Sequence, residues 1–137
     1  VRKDSAGTTL YLPGGNELLL KPDGITKVGT RFYDFAGQTV AMRTAGKIAF
    51  LLSDPHGTAT TQIDAVSQAV TRRKSAIFGA PRGTAPAVWT GDKGFVGGTK
   101  DTDTGLTHLG AREYDPTIGR FISVDPLMDL NDPQQIH

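Results

Sequence analysis

The sequence contains no cysteine, which excludes disulfide bridges, thiol nucleophiles and cysteine-ligated zinc sites. This absence leaves the redox compartment open. Long apolar runs are also missing, since the longest, Ile48 to Leu52, has five residues where a membrane-spanning helix needs roughly 20. No positively charged and then apolar signal segment opens the chain. We therefore expect no membrane contact for this segment itself.

Neither sign of charge predominates in the sequence. The 15 lysines and arginines face 14 acids, so the net charge of +1 gives no long-range field for a nucleic acid. Histidine is scarce, with three residues in the chain. His56 and His108 have no carboxylate or second histidine at ligand spacing, and His137 is terminal, so no metal site is indicated. We expect no nucleic acid partner, no metal and no cofactor.

The two ends of the chain indicate a fragment. It begins with Val1, and it stops shortly after Asp132 and Pro133, which together with Gln135 have the pattern of a helix start. Asp would be the N-cap, Pro the first helical residue and Gln the residue three positions after the cap. A helix that begins and is cut off is the expectation here.

What the sequence does contain is a series of short segments with an apolar period of two, which is typical of strands. Glycine, proline and aspartate separate these segments, as hairpin turns require. The predicted strands cover residues 8–12, 17–21, 27–33, 38–44, 47–53, 58–64 and 69–78. We therefore predict an all-β fold of antiparallel hairpins, with residues 1–84 as a meander and residues 85–137 as a loop-rich closing segment.

An Asp-x-x-Gly unit recurs twenty residues apart, at Asp34 to Gly37 and at Asp54 to Gly57. Aspartate in the first position and glycine in the fourth are typical of a type I turn. One hairpin cannot bury a face alone, so repeats at this period predict hairpins stacked into an extended or curling sheet.

Two stretches resemble the Rhs/YD-repeat family. Residues 31–38 contain Tyr33-Asp34-x-x-Gly37, which is similar to the family's repeat unit, with an inward aromatic ring and a turn from Asp to Gly. Residues 98–126 are similar to the Rhs-associated core. The matching positions are Asp103-Thr104-Gly105-Leu106, Ala111-Arg112-Glu113-Tyr114-Asp115-Pro116 and Gly119-Arg120-Phe121-Ile122-Ser123-Val124-Asp125-Pro126.

The resemblance implies a hollow, spiralling β-shell like those of teneurins and the C subunits of insecticidal toxin complexes. Residues 85–137 would be a truncated core segment that plugs one end. The implied partners are the remainder of the shell and a C-terminal toxin cargo, and the parent protein would be secreted or exported. The chain would be a structural segment.

In many members of this family the core segment also cuts the chain with aspartates. Asp125 matches the first of them, and the second would lie in an Asp-Pro-x-Gly motif beyond His137. Asp132 is a poor substitute because Gln135 stands where that motif has glycine. Arg120 could orient a carboxylate or a carbonyl, and the alternative for it is an exposed arginine at a strand end. The alternative for Asp125 is a helix N-cap followed by Pro126, so we expect no free-standing enzyme.

Other interpretations remain open at this stage. The main rival is an extracellular module for carbohydrate or cell-surface binding, which would need exposed aromatic rings along a groove. The basic cluster from Arg72 to Lys74 is expected to be a solvated strand end, although at least one of its side chains must face a neighbour or the cavity. Trp89 and Phe95 are expected to belong to a local core.

Overall fold

The structure, a computed structural model that describes residues 1–124, is built almost entirely from antiparallel strands. The predicted all-β fold is confirmed. The strands are β1 (Arg2–Asp4), β2 (Gly7–Tyr11), β3 (Glu17–Leu20), β4 (Lys27–Phe35), β5 (Gln38–Thr44), β6 (Lys47–Ser53), β7 (Ala59–Asp64), β8 (Val70–Arg72), β9 (Thr99–Lys100), β10 (Thr107–Leu109), β11 (Arg112–Asp115) and β12 (Arg120–Phe121). Single 3-10 turns lie at Pro13–Gly15 and Phe95–Gly97. Among the described residues, no helix is long and apolar enough to cross a membrane.

The first sheet consists of β1 to β8 in chain order, so each strand pairs with the next one along the sequence. Its central hairpins, β4–β5 and β5–β6, close with two-residue loops. Both residues of each loop have positive φ, with values of 50° and 78° at Ala36 and Gly37 and of 47° and 78° at Ala45 and Gly46. These are the angles of a type I′ turn, whose twist matches that of the flanking strands.

The turn type predicted at Asp34 is therefore wrong. The ladder continues to the pair Phe35 and Gln38, which leaves Asp34 inside β4, where its carboxylate accepts a hydrogen bond from Thr39 Oγ1 at 2.7 Å. At Asp54 the expected pattern is present. The Gly57 amide donates to the Asp54 carbonyl at 3.0 Å, and the Asp54 side chain caps two further backbone N–H groups.

The last strand of the first sheet is shorter than predicted, because β8 spans only Val70–Arg72. Beyond it the chain folds back on itself. The amides of Ala76 and Gly79 donate to the carbonyls of Ala80 and Ala76 at 2.7 and 2.9 Å, respectively. These local bonds replace the cross-strand bonds that a strand over 69–78 would have made.

The core lies on one side of the first sheet. Phe32, Met42, Leu51 and Ala59 form a buried cluster, against which the partly buried Trp89 packs. We call this side the covered face, the opposite side the open face, and residues 73–98 the cover segment. Of the two adjacent rings in β4, Phe32 packs into this core whereas Tyr33 is exposed on the open face. The prediction that the tyrosine of the repeat unit packs inward is therefore wrong.

The second sheet has the order β12-β11-β10-β9 and is organised around Tyr114. The Tyr114 ring stacks on Phe95 and meets Phe121 edge-on, with 5.5 Å between centroids in both pairs. Its hydroxyl donates to the Phe78 carbonyl at 3.0 Å. Phe95 is therefore part of a local core, as predicted.

Candidate functional site

The cover segment is held to the first sheet by side chains that bind backbone groups. Gln62 of β7 donates to the Thr90 carbonyl at 2.5 Å and accepts from the Thr90 amide at 2.9 Å. Thr58 Oγ1 accepts from the Val96 amide at 3.0 Å. Three bonds of this kind satisfy backbone groups that would otherwise be unpaired at a buried junction.

Arg73 is the charged centre of this junction. Its guanidinium donates to the carbonyls of Ala59 at 2.8 Å and Lys93 at 2.6 Å, and its Cζ lies 3.8 Å from the centre of the Trp89 ring. Burial lowers the pKa of Arg73 to about 10, which still leaves it charged at neutral pH.

The basic cluster is therefore divided by its environment. Arg72 and Lys74 are exposed, as expected of a solvated strand end, whereas Arg73 is partly buried and contacts a neighbour. The solvated interpretation is wrong for Arg73, because alternate residues of an extended chain point to opposite sides. Trp89 stacks on this cation and packs against the buried core, so its assignment to a local core is confirmed.

A pair of carboxyl groups, Glu17 of β3 and Asp92 of the cover segment, meets at the same junction. Glu17 is 9% exposed, and one oxygen of each group, Glu17 Oε1 and Asp92 Oδ1, is buried without a partner. Burial, followed by the charge of Asp92, raises the pKa of Glu17 to about 7, and burial also raises the pKa of Asp92. Burial thus holds the pKa of both carboxyl groups above their ordinary values and favours a protonated form of the pair.

Two cations compensate the remaining negative charge. Arg2 Nη2 lies 4.0 Å from Asp92 Oδ2, while Arg2 Nε binds Asp4 at 2.8 Å. The Lys93 ammonium donates to Thr99 Oγ1 at 3.1 Å and lies 5.0 Å from the centre of the Phe32 ring. Carboxyl groups that share a proton are what an aspartyl mechanism uses. Because the unpartnered oxygens of this pair are buried, we assign the pair a structural role.

The residues predicted for catalysis are not brought to this junction. Arg120 is exposed at the start of β12, opposite Asp115 across the ladder. Asp125, Asp132 and the helix expected near the C-terminus lie outside the described residues. The catalytic assignment therefore stays a prediction.

The structure places a carboxylate beside one of the histidines, which the spacing in the sequence does not predict. His108 Nδ1 lies 2.8 Å from Glu113 Oε1, so a carboxylate is close after all, in an exposed cross-strand pair of β10 and β11. The spacing of five residues hides this contact, which exists only because the two strands are joined by a tight turn. Within residues 1–124, no group of three or more histidine and acidic side chains could hold a metal ion.

Two grooves lie along the first sheet. One, of about 310 Å³, lies on the covered face between Asp34, Leu51, His56 and Lys93. The other, wider groove is bordered by Leu12, Leu18, Val28 and Arg43. Among the described residues, no phenylalanine, tyrosine or tryptophan lines either of them. A sugar would thus find no stacking platform in these grooves.

Two similarities to known proteins bear on the identity of this fold. Residues 25–136 match the Teneurin YD-shell family. The tRNA3(Ser)-specific nuclease WapA of Bacillus spizizenii is 28% identical over 127 residues, which cover 89% of this chain and 5% of that protein. The chain thus spans about one twentieth of the length of this curated relative. Because the family match covers most of the sequence, the chain belongs to the Teneurin YD-shell family.

Proposed function

We propose that this YD-shell segment is part of the wall of a shell that encloses a C-terminal toxin, with residues 1–84 as wall and residues 85–137 as a plug at one end. The observation that carries the proposal is the unbroken pairing of β1 to β8 in chain order. A sheet built this way can grow by adding hairpins at either edge, and the twist of successive strands makes a long sheet curl.

Enclosure has a physical advantage for a toxin-producing cell. A closed wall separates the toxin from its targets and hides strand edges that would otherwise aggregate. The relative WapA is named as a nuclease specific for a tRNA, an activity that a producing cell needs to confine. We propose that the parent protein is exported with such a cargo inside.

We also propose that Asp125 supplies one carboxylate for cutting the chain between shell and toxin. A second aspartate, from a motif downstream of His137, would complete the pair, since one group must act as base and the other as acid. Arg120, exposed and five residues before Asp125, would orient the carboxylate or the scissile carbonyl. The 137-residue segment alone would have no activity.

The test is the intact mass of a parent protein that carries this segment and its toxin, compared with its Asp125→Asn variant. We expect two pieces from the wild type and one from the variant. Asp23→Asn is the matched control, because Asp23 is exposed at the turn between β3 and β4, where it accepts a hydrogen bond from the Ile25 amide at 2.9 Å, and this variant should still give two pieces. Continued cutting in the Asp125 variant would refute its catalytic role.

The enclosure itself needs a separate measurement. In the uncut Asp125→Asn parent, the toxin should resist an added protease and become sensitive only when the shell is opened by denaturant. A toxin that is digested at the same rate as an isolated toxin domain would contradict the shell proposal whatever the result for cleavage. Carbohydrate binding is not favoured, because no phenylalanine, tyrosine or tryptophan lines the described grooves.

A further inference from the structure

The open face of the first sheet has a continuous apolar row. The registers of β4 to β8 align Tyr33, Ala41, Phe50, Ile63 and Val70 side by side across five strands. Each residue is the direct cross-strand partner of the next. A row of this kind forms one strip perpendicular to the strands.

Tyr33, Phe50 and Val70 of this row are accessible to a partner, whereas Ala41 between the two rings is only 9% exposed. Phe50 is 50% exposed and Val70 49%, and both keep half of their surface in contact with solvent. Ile48 and Leu52, which alternate with Phe50 on the same face of β6, are 41% and 49% exposed. Contiguous exposed apolar surface on a sheet face is typical of an interaction site.

The open face of the first sheet has cations but no acids at its strand positions. The open face contains five exposed cations at strand positions: Lys3, Lys27, Arg31, Arg43 and Arg72. All four acids at strand positions lie on the covered face, which also has the cations Arg2 and Lys47: Asp4, Glu17, Asp34 and Asp64. In residues 1–124, no salt bridge involves any of the five open-face cations.

Arg31 and Arg43 bring two positive charges close together on the open face. They are direct cross-strand partners in β4 and β5, so two like charges lie opposite each other beside the apolar row. Arg31 lies 5.4 Å from the centre of the Tyr33 ring, which provides only part of the missing counter-charge. Like charges at opposed positions destabilise a sheet, and an anion bound between them removes this repulsion.

The charges and apolar side chains of the open face limit the classes of partner that can bind it. A second copy of this chain would bring cations against cations, which is unfavourable. A single-stranded nucleic acid would stack on aromatic rings, whereas the row is mostly aliphatic and holds two rings, Tyr33 and Phe50. A polypeptide that presents both carboxylates and apolar side chains complements the cations and the row together.

We propose that the open face of the first sheet is a docking surface for an acidic polypeptide with interspersed apolar side chains. Its carboxylates would pair with Arg31, Arg43 and Arg72, and its apolar groups would cover Phe50 and Leu52. This inference concerns the sheet of this chain and does not require that the chain be part of a closed shell.

The test measures fluorescence anisotropy of a labelled alternating Glu-Leu peptide titrated with the 137-residue chain. A Gln-Leu peptide of the same length and an oligothymidylate are the comparison probes. The double variant Arg31→Glu/Arg43→Glu should weaken Glu-Leu binding by about 10-fold or more, since it reverses the paired charges. Phe50→Ser should weaken it about 5-fold, because it removes the centre of the row.

A matched control separates this face from general charge attraction. Lys74→Glu/Arg82→Glu changes the net charge equally at two exposed positions outside the first sheet and should leave binding unchanged. If the double variant at the face does not fold, judged by circular dichroism, Arg31→Gln/Arg43→Gln should still weaken binding. Equal losses in the control, equal binding of the Gln-Leu peptide, or tighter binding of the oligothymidylate would each overturn the proposal.

Discussion

The strands of the first sheet pair with their neighbours in sequence, whereas the cover segment and the second sheet are positioned by contacts between distant parts of the chain. The bond from Val96 to Thr58 joins residues 38 positions apart, and that from Tyr114 to Phe78 joins residues 36 apart. Both kinds of region contain strands. Within both sheets the strands pair in chain order, because each hairpin turn sets the register of the next strand, but the local pattern does not define how the cover segment and the second sheet lie against the first.

The difference is also visible in the two faces of the first sheet. The covered face gains its core from the cover segment, and Met42 is 1% exposed there. The open face presents residues of equal hydrophobicity, such as Leu52, to solvent. The two faces therefore contribute very differently to stability although their apolar residues alternate along the same strands.

The largest expected effect tests this contrast directly. Met42→Ala should lower the free energy of unfolding by about 2 to 5 kcal/mol, because it removes buried atoms and leaves a cavity beside Gly91 and the core. Leu52→Ala on the open face should cost less than about 1 kcal/mol. Urea unfolding followed by tryptophan fluorescence measures both. Equal losses of unfolding free energy in the two variants would mean that the two faces contribute equally to stability.

A second substitution tests how the cover segment is attached. Arg73→Ala should lower the free energy of unfolding by about 2 to 3 kcal/mol, because two backbone carbonyls lose a charged donor and the Trp89 ring loses its cation. Arg72→Ala, one residue away on the exposed side, should change it by less than about 0.5 kcal/mol. The same urea titrations measure both variants. An unchanged free energy of unfolding in Arg73→Ala would show that the cover segment is held by its apolar contacts alone.

The smallest effect depends on pH. The pKa of Glu17 is raised from its ordinary value of 4.5 to about 7, so its contribution to stability is fully present below pH 4.5 and lost as the pH rises through 7. The unfolding free energy of the wild type should thus fall relative to Glu17→Gln between about pH 5 and pH 8, by on the order of 2 kcal/mol. Gln keeps a donor toward Asp92 and does not titrate.

The other glutamate supplies the control for that experiment. Glu113 lies in an exposed cross-strand pair with His108, so Glu113→Gln removes a glutamate carboxylate that is not buried at the junction. Thermal unfolding at several pH values distinguishes the two variants. If Glu17→Gln followed the wild type at every pH, the pKa of Glu17 would not be raised in the folded protein.

The strands of the first sheet could be predicted because alternation and turn residues are local properties. The expected strands at 17–21, 38–44 and 47–53 agree with β3, β5 and β6 within one residue. The turn at Asp34 was mispredicted because a two-residue loop with positive φ fits strand twist better than the Asp-x-x-Gly pattern indicates. Strand 69–78 was overextended because local backbone bonds after Arg73 compete with the ladder.

The site was less predictable than the fold. Glu17 stands at the start of an apolar strand segment and Asp92 in a loop, and no spacing rule connects residues so far apart. His108 and Glu113 are five residues apart, and only the tight turn between β10 and β11 makes them neighbours. Which arginine of the cluster would be buried depended on where the cover segment crosses β7 and β8.

By itself the sequence determined the strand class, the order of the hairpins and the membership in a YD-repeat family, because these follow from alternation, turn residues and a fixed motif. Tertiary structure alone decided which face of the first sheet is buried, why Arg73 and Glu17 are withdrawn from water, and why five cations remain together on the open face. The physical reason is that alternation defines two faces without distinguishing them. Only the placement of the cover segment, through contacts between distant residues, makes one of them the core.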